Sequence, residues 1–194
     1  MQSSRRHFLA GSLLAGAAVL AKSSPLTAAA ASADAPWKCG VGLNGFMSSG
    51  DHFKKTYPLW EILDYAAQAG FNGVELVEGW PMGGYPDYEE EKRVAALRRL
   101  YNQYGLQIYT MQTGGADSYA SSAEARREWL ARFRRLATLC KALGGDFIGH
   151  WPGGGLEGNK TVDEAIKHLG SSYREASKIC ADLGMHMSFE IEPP

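Results

Sequence analysis

Polar and aromatic side chains stand at the ends of short apolar runs throughout this sequence. In the last run, residues 186–191, Glu190 alternates with apolar residues, and Glu192 follows at the same spacing. The other runs end on or near a further set: Asn44, Glu75, Glu78, Trp80, Gln112, His150 and Trp151. A carboxylate that points into a confined interior must be paired, protonated or bound to a metal, because an isolated buried charge is costly. Carboxylates and one imidazole around a single site would suit a divalent cation such as Mn²⁺, Mg²⁺ or Co²⁺.

We therefore predict that Glu190 is a metal ligand and that Glu192 is a second. We expect the substrate to be bound by the remaining candidates: Asn44, Glu75, Trp80, Gln112, His150 and Trp151. Alternatives remain open for these residues. Glu190 could be a structural carboxylate paired with Arg or Lys, Glu192 a solvated residue, and His150 a hydrogen-bonded residue at a strand end. Trp80 and Trp151 could simply pack beneath loops.

A regular alternation of strands and helices would position these residues. The predicted strands cover residues 39–43, 73–77, 106–111, 146–151 and 186–191. The predicted helices cover residues 59–69, 89–104, 122–143 and 161–183. Glycines close the helices, and Thr161 with Glu164 forms a capping box at the start of the last one. Strands that alternate with helices at this spacing pair in parallel through right-handed crossovers.

Two closures of a parallel sheet are possible: an open doubly wound sheet and a barrel. The segment 40–45 contains no G-x-G-x-x-G motif, and we predict no helix directly after it, which argues against a dinucleotide-binding fold. In the last strand Met187 and Phe189 face one way, while Ser188 and Glu190 face the other. A sheet sandwiched between helix layers would need both faces to be apolar, whereas a barrel can accept carboxylates inside near its carboxyl-end rim. The sequence therefore predicts a (β/α)8 TIM barrel.

The composition limits the classes of partner. Twenty Lys and Arg residues against 21 Asp and Glu residues give a formal net charge of −1, with no basic stripe. This balance argues against nucleic acid as a main partner. Three widely spaced cysteines, Cys39, Cys140 and Cys180, form neither a disulfide framework nor a zinc motif. Cys140 and Cys180 are expected to be small buried residues of two helices.

The amino terminus has the features of an export signal. Arg5 and Arg6 precede Phe8 and an apolar run over residues 9–21, and an A-x-A site follows at residues 31–33. This arrangement predicts a twin-arginine signal peptide over residues 1–33 and a mature domain over residues 34–194. The apolar run is too short to span a bilayer, so we expect no membrane anchor after cleavage. The expected location is the periplasm or the medium.

Three segments of the mature chain resemble the xylose isomerase-like TIM barrels. They are AGFNGVEL at 69–76, LGGDFIGHWPGG at 143–154 and LGMHMSFEIEP at 183–193. The resemblance covers residues 37–194 and implies a barrel of which the chain contains about five of eight βα units. It also implies that Glu190 is the first of four metal ligands, the others coming from strands six to eight beyond Pro194. Gln112 stands where many members carry His, which argues against the endonuclease IV-type members.

The same resemblance implies a function. The chain is similar to divalent-metal-dependent sugar isomerases and epimerases, which move a proton next to a carbonyl through an enediolate. The catalytic carboxylate would be Glu190 or a partner from the missing eighth strand. Trp80 and Trp151 would then form apolar walls for a sugar ring. A metal-dependent lyase or hydrolase acting on glycosides, and a non-catalytic sugar-binding or truncated relative, remain alternatives. We expect the complete protein to be an enzyme and the 194-residue chain alone to be inactive, and either unstable or homo-oligomeric.

Overall fold

The computed structural model describes residues 38–79 and 84–190. The strands are β1 (Gly40–Gly42), β2 (Gly73–Val77), β3 (Gln107–Gly114), β4 (Phe147–Trp151) and β5 (His186–Phe189). The helices are α1 (Asn44–Phe53), α2 (Leu59–Gln68), α3 (Glu91–Gln103), α4 (Ala123–Leu143) and α5 (Val162–Asp182), with a short 3-10 helix at Ala116–Tyr119. All five predicted strands and all four predicted helices are present. The predicted signal peptide, Trp80 and Glu192 lie outside the described residues.

The five strands form one parallel sheet in the order in which they follow each other along the chain. A doubly wound sheet reverses its strand order at a switch point, whereas a barrel adds each new strand on the same side of the last one. The observed order β1-β2-β3-β4-β5 therefore has the winding of a barrel. The predicted (β/α)8 class is confirmed, and the described strands are the first five of it.

The hydrophobic core lies between the sheet and the helices. Alternate strand residues such as Val74, Leu76, Met111 and Ile148 are fully buried on this outer face. The helices contribute their own buried stripe: Ile62, Leu63, Ala66, Tyr101, Trp129, Phe133, Ala137, Cys140, Ala176, Ile179 and Cys180. Cys140 and Cys180 are buried free thiols, as predicted. The opposite face of the sheet is the inner face of the barrel, which is left for polar side chains.

Caps fix the ends of the two longest helices. The Ser122 hydroxyl accepts a hydrogen bond from the backbone N–H of Ala125 at the start of α4, and Gly144 ends that helix at φ 105°. At the start of α5 the Thr161 hydroxyl accepts from the N–H of Glu164 at 3.2 Å. The Glu164 carboxylate accepts in return from the N–H of Lys160 at 2.8 Å. Both caps satisfy N–H groups that a helix start would otherwise leave unpaired, and the cap of α5 is the one that the sequence predicts.

Helix α1 corrects the prediction that no helix follows the first strand. It begins at Asn44, directly after β1, and its segment NGFMSSGDHF contains glycine and serine, which are poor helix formers. Tertiary contacts stabilise it instead. The Phe46 ring packs edge-on against Tyr57 and Tyr65, at centroid distances of 5.8 and 6.0 Å. Because this stabilisation comes from α2 and the preceding loop, local propensity does not reveal it.

Tyr109 lies on the inner face of the sheet beside the first residue of β2, where glycine leaves room for its ring. A Cβ at Gly73 would lie 2.5 Å from the Tyr109 ring and 2.5 Å from the carbonyl oxygen of Gln107. The register of β2 against β3 shifts between Val74 and Glu75, which places Tyr109 in the irregularity. This bulge sets the register of all later inward residues of β3.

No helix in the described part of the chain is long and apolar enough to cross a membrane.

Candidate functional site

Asn44 and Glu75 lie beside each other at the carboxyl ends of β1 and β2. A Cβ at Gly42 would be 3.2 Å from Oδ1 of Asn44 and 3.4 Å from Oε1 of Glu75, so both oxygens border the same space on the inner face. Glu75 is half-buried. Burial raises the pKa of its carboxyl, and the negative charge of Glu190 raises that pKa further. The charge of Glu190 therefore acts on Glu75 across the inner face.

Gln112 connects β3 to Glu190 at the end of β5. Its amide Nε2 donates a hydrogen bond to Oε2 of Glu190. The backbone N–H of Glu190 donates to the carbonyl of His150 at 3.0 Å, which extends the pairing of β4 and β5 by one step. The structure thus brings together four of the predicted site residues on the inner face, and we call them the inner-face cluster: Asn44, Glu75, Gln112 and Glu190.

Trp151 borders the cluster on β4. It shares the inner face with Gly149 two residues earlier, and 40 % of its surface is exposed. The Trp151 ring lies between two glycines, because a Cβ at Gly114 or at Gly153 would be 3.9 Å from ring atoms. An aromatic plane that is held at a rim and half-exposed can form an apolar wall for a ligand.

His150 corrects one of the predictions. It follows Ile148 on the outer face of β4, where it is completely buried. Its ring lies 5.0 Å from Trp129 of α4 and 5.7 Å from Tyr173 of α5, between centroids. The strand alternation that turns Trp151 inward necessarily turns His150 toward the helices. The predicted contact of His150 with substrate does not fit this placement.

The surroundings of His150 keep it neutral. The hydroxyl of Thr113 donates to the carbonyl of Gly149 at 2.9 Å. That hydroxyl therefore accepts from Nδ1–H of His150, whose nitrogen lies 3.1 Å away. Nε2 is buried without a hydrogen-bond partner among the described residues. Burial, and next the positive charge of Arg132, lower the pKa of His150 to about 4. His150 is therefore a neutral core residue.

An ion-pair cluster at the rim includes a residue that the sequence analysis did not single out. Arg132 of α4 lies 3.2 Å from Glu78 and 3.1 Å from Asp117, and it donates to the carbonyl of Gly114 at 3.0 Å. Glu78 also accepts from the N–H of Gly114 at 3.3 Å. Arg132 ties the exits of β2 and β3 to the helix layer. The only indication of this role in the sequence is the position of Arg132, three residues after Trp129, which is buried on the same helix.

The inner-face cluster has the donor chemistry of a hard cation site. It offers two carboxylates and two amide carbonyls, which are oxygen ligands of the kind that Mg²⁺ and Mn²⁺ prefer. Among residues 38–79 and 84–190, however, no group of three or more His, Cys, Asp or Glu side chains is placed to hold a metal. Glu190 can therefore supply only part of a ligand set, with Glu75 close by on the inner face. Glu192, the second predicted ligand, is outside the described residues, so its role stays a prediction.

Comparison with known proteins agrees with the fold. Residues 63–194 match the sequence model of the xylose isomerase-like TIM barrel. A search of curated proteins gave no match. Solved structures do match, at low sequence identity. One is a sugar phosphate isomerase/epimerase from Parabacteroides distasonis, with a TM-score of 0.59 and 14 % identity over 86 % of this chain and 55 % of that one.

Two further structures extend the comparison. D-psicose 3-epimerase from Clostridium cellulolyticum, solved with D-tagatose, has a TM-score of 0.59 and 16 % identity over 80 % of this chain and 52 % of that one. The IolI protein, solved with a bound zinc atom, has a TM-score of 0.59 and 15 % identity over 79 % of this chain and 51 % of that one. The chain spans about half the length of the structures it matches. At these identities the likeness establishes the fold.

Proposed function

Because the chain belongs to the xylose isomerase-like TIM barrel family, we propose that it forms part of a divalent-cation-dependent sugar isomerase or epimerase. The observation that carries this proposal is the inner-face cluster, which gathers Glu75, Gln112 and Glu190 at the carboxyl ends of the strands. Active sites of TIM barrels lie at this end. A structural neighbour named as a sugar epimerase and another with bound zinc support the substrate class and the cation.

Each residue of the cluster has a distinct task in this proposal. A bound cation would polarise the sugar carbonyl and make the neighbouring C–H more acidic. Glu190 would hold the cation through the carboxylate oxygen that Gln112 does not bind. The proton would pass to a carboxylate, either Glu190 itself or Glu75, whose raised pKa suits proton exchange. Asn44 would orient a sugar hydroxyl, and Trp151 would cover an apolar face of the ring.

Hydrogen exchange at the substrate carbon tests this chemistry. The natural full-length protein, loaded with Mn²⁺, is incubated with free ketohexoses in D₂O, and deuterium incorporation next to the carbonyl is followed by mass spectrometry. We expect incorporation by the native protein, and we expect Glu190→Gln to lose both bound Mn²⁺ and exchange. Glu75→Gln should keep Mn²⁺ and lose exchange if Glu75 carries the proton, and keep both if Glu190 does.

The result that would overturn the proposal is a native protein that binds Mn²⁺ and sugar but incorporates no deuterium. Such a protein would be a sugar-binding relative without catalysis. Metal content measured on the same samples by elemental analysis separates this outcome from simple loss of the cation.

We also propose that the protein is exported by the twin-arginine route, as Arg5 and Arg6 before an apolar run indicate. The location would make free sugars more accessible substrates than sugar phosphates. Replacing both arginines by lysine should retain the protein in the cytoplasm, which cell fractionation measures. Unchanged export of the double variant would contradict this route.

A further inference from the structure

The hydrogen bond between Gln112 and Glu190 crosses an entire strand. The register pairs Gln112 of β3 with Gly149 of β4, and Gly149 with Ser188 of β5. Glu190 follows Ser188 by two residues, so it lies on the same inner face. Neighbouring strands are separated by about 4.8 Å, so the backbones of β3 and β5 are about twice that distance apart. Two long side chains are needed to meet over this span.

Gly149 leaves the path between them open. A Cβ at this position would lie 3.7 Å from Cα and 3.9 Å from Cγ of Gln112, and 3.6 Å from Oγ of Ser188. These are ordinary van der Waals distances, so an alanine methyl group would fit. A larger, branched side chain would project from β4 into the space that the Gln112 side chain crosses. Only a small residue at position 149 therefore leaves room for the Gln112 side chain to extend to Glu190.

We propose that Gln112 is a positioning residue that orients the carboxylate of Glu190, and that the absence of a side chain at Gly149 makes this possible. The inference rests on the proposed function, in which Glu190 binds the cation. The Gln112 amide holds Oε2, and within the described residues Oε1 of Glu190 accepts no hydrogen bond. One carboxylate oxygen is therefore held by Gln112, and the other remains available to a cation.

Outer partners of metal-binding side chains fix their orientation, and losing one typically weakens metal binding 10- to 100-fold. The same size of effect is expected here from two independent changes. Gln112→Asn keeps the amide but shortens its reach by one methylene. Gly149→Val keeps Gln112 but fills its path. Their matched controls are Gln107→Asn, the same change at the exposed first residue of β3, and Gly149→Ala, whose methyl group fits.

Calorimetric titration of the natural full-length protein with Mn²⁺ tests whether the contact affects cation binding. We expect Gln112→Asn and Gly149→Val to weaken Mn²⁺ binding 10- to 100-fold, and both controls to bind as the native chain does. Far-ultraviolet circular dichroism verifies that each variant is folded. Native-like Mn²⁺ affinity in folded Gln112→Asn would overturn the inference while leaving the proposed function in place.

A spectroscopic arm tests the contact without a metal. In ¹H–¹⁵N spectra the side-chain amide pair of Gln112 is identified by its disappearance in Gln112→Asn. We expect the chemical shifts of these two amide protons to change in Glu190→Ala and in Gly149→Val, and to stay unchanged in Gly149→Ala. Gln112 amide resonances that do not change in Glu190→Ala would refute the contact between Gln112 and Glu190. If the native full-length protein binds no Mn²⁺ and the Gln112 amide resonances respond to Glu190→Ala, the proposed function fails and the positioning contact stands.

Discussion

Acidification should destabilise the fold through His150. The imidazole is completely buried, and Nε2 has no hydrogen-bond partner among the described residues, so a proton there would be a buried unpaired charge. Its pKa falls from 6.5 to about 4 on folding. The unfolded chain therefore binds the proton more readily, and the free energy of unfolding decreases as the pH falls from about 6.5 to about 4. The complete lowering of the His150 pKa corresponds to about 3 kcal/mol in the free energy of unfolding. About 2 kcal/mol of this is lost by pH 5.

Urea unfolding at pH 7 and at pH 5 measures this loss. Other groups titrate over the same interval, so the informative quantity is the difference between the native chain and His150→Gln, which cannot bind the proton. The native chain should lose about 2 kcal/mol more than His150→Gln between the two pH values. His52→Gln, at an exposed helix position, should behave as the native chain does. Equal losses of unfolding free energy in the native and His150→Gln chains would show that His150 is not the group responsible. A direct NMR titration that shows His150 protonated at pH 6 would contradict its lowered pKa.

Three further predictions concern other parts of the fold. Gly73→Ala should destabilise the chain by about 1–3 kcal/mol in urea unfolding, because its methyl group would lie 2.5 Å from the carbonyl oxygen of Gln107. A variant as stable as the native chain would contradict the close approach. Thr161→Ala should lower the free energy of unfolding by about 1 kcal/mol, because the hydroxyl that caps α5 is removed. A thermal melt with an unchanged midpoint would argue against that cap. Arg132→Met should lower the free energy of unfolding by about 1 kcal/mol, and by less at high salt, because salt screens the ion pairs that it removes. A loss of stability that does not depend on salt would contradict a role of these ion pairs.

The alternation of the strands could be predicted because apolar and polar residues take opposite faces. The pattern over β5 placed Glu190 on the inner face, and the structure shows the same alternation in β2, where Val74 and Leu76 are buried on the outer face and Glu75 lies on the inner face. The same rule applied to β4 would have turned His150 outward with Ile148. Its position at a strand end, next to a glycine-rich loop, suggested a site residue, but the strand end does not determine the face. Alternation must be read for each strand before its last residue is assigned to a site.

Contacts that depend on three elements could not be predicted. The link between Gln112 and Glu190 requires the register of both strands against β4, which local residue types do not determine. Helix α1 was missed for a related reason, since aromatic packing of Phe46 stabilises a segment of poor helix formers. Tertiary packing decided both cases.

Anomalous diffraction from crystals of the natural full-length protein soaked in Mn²⁺ would locate the proposed cation. We expect a manganese peak inside the barrel, with an oxygen of the Glu190 carboxylate about 2–2.6 Å from the ion and the other oxygen held by Gln112. A peak elsewhere, or a Glu190 side chain directed away from the barrel interior, would contradict it.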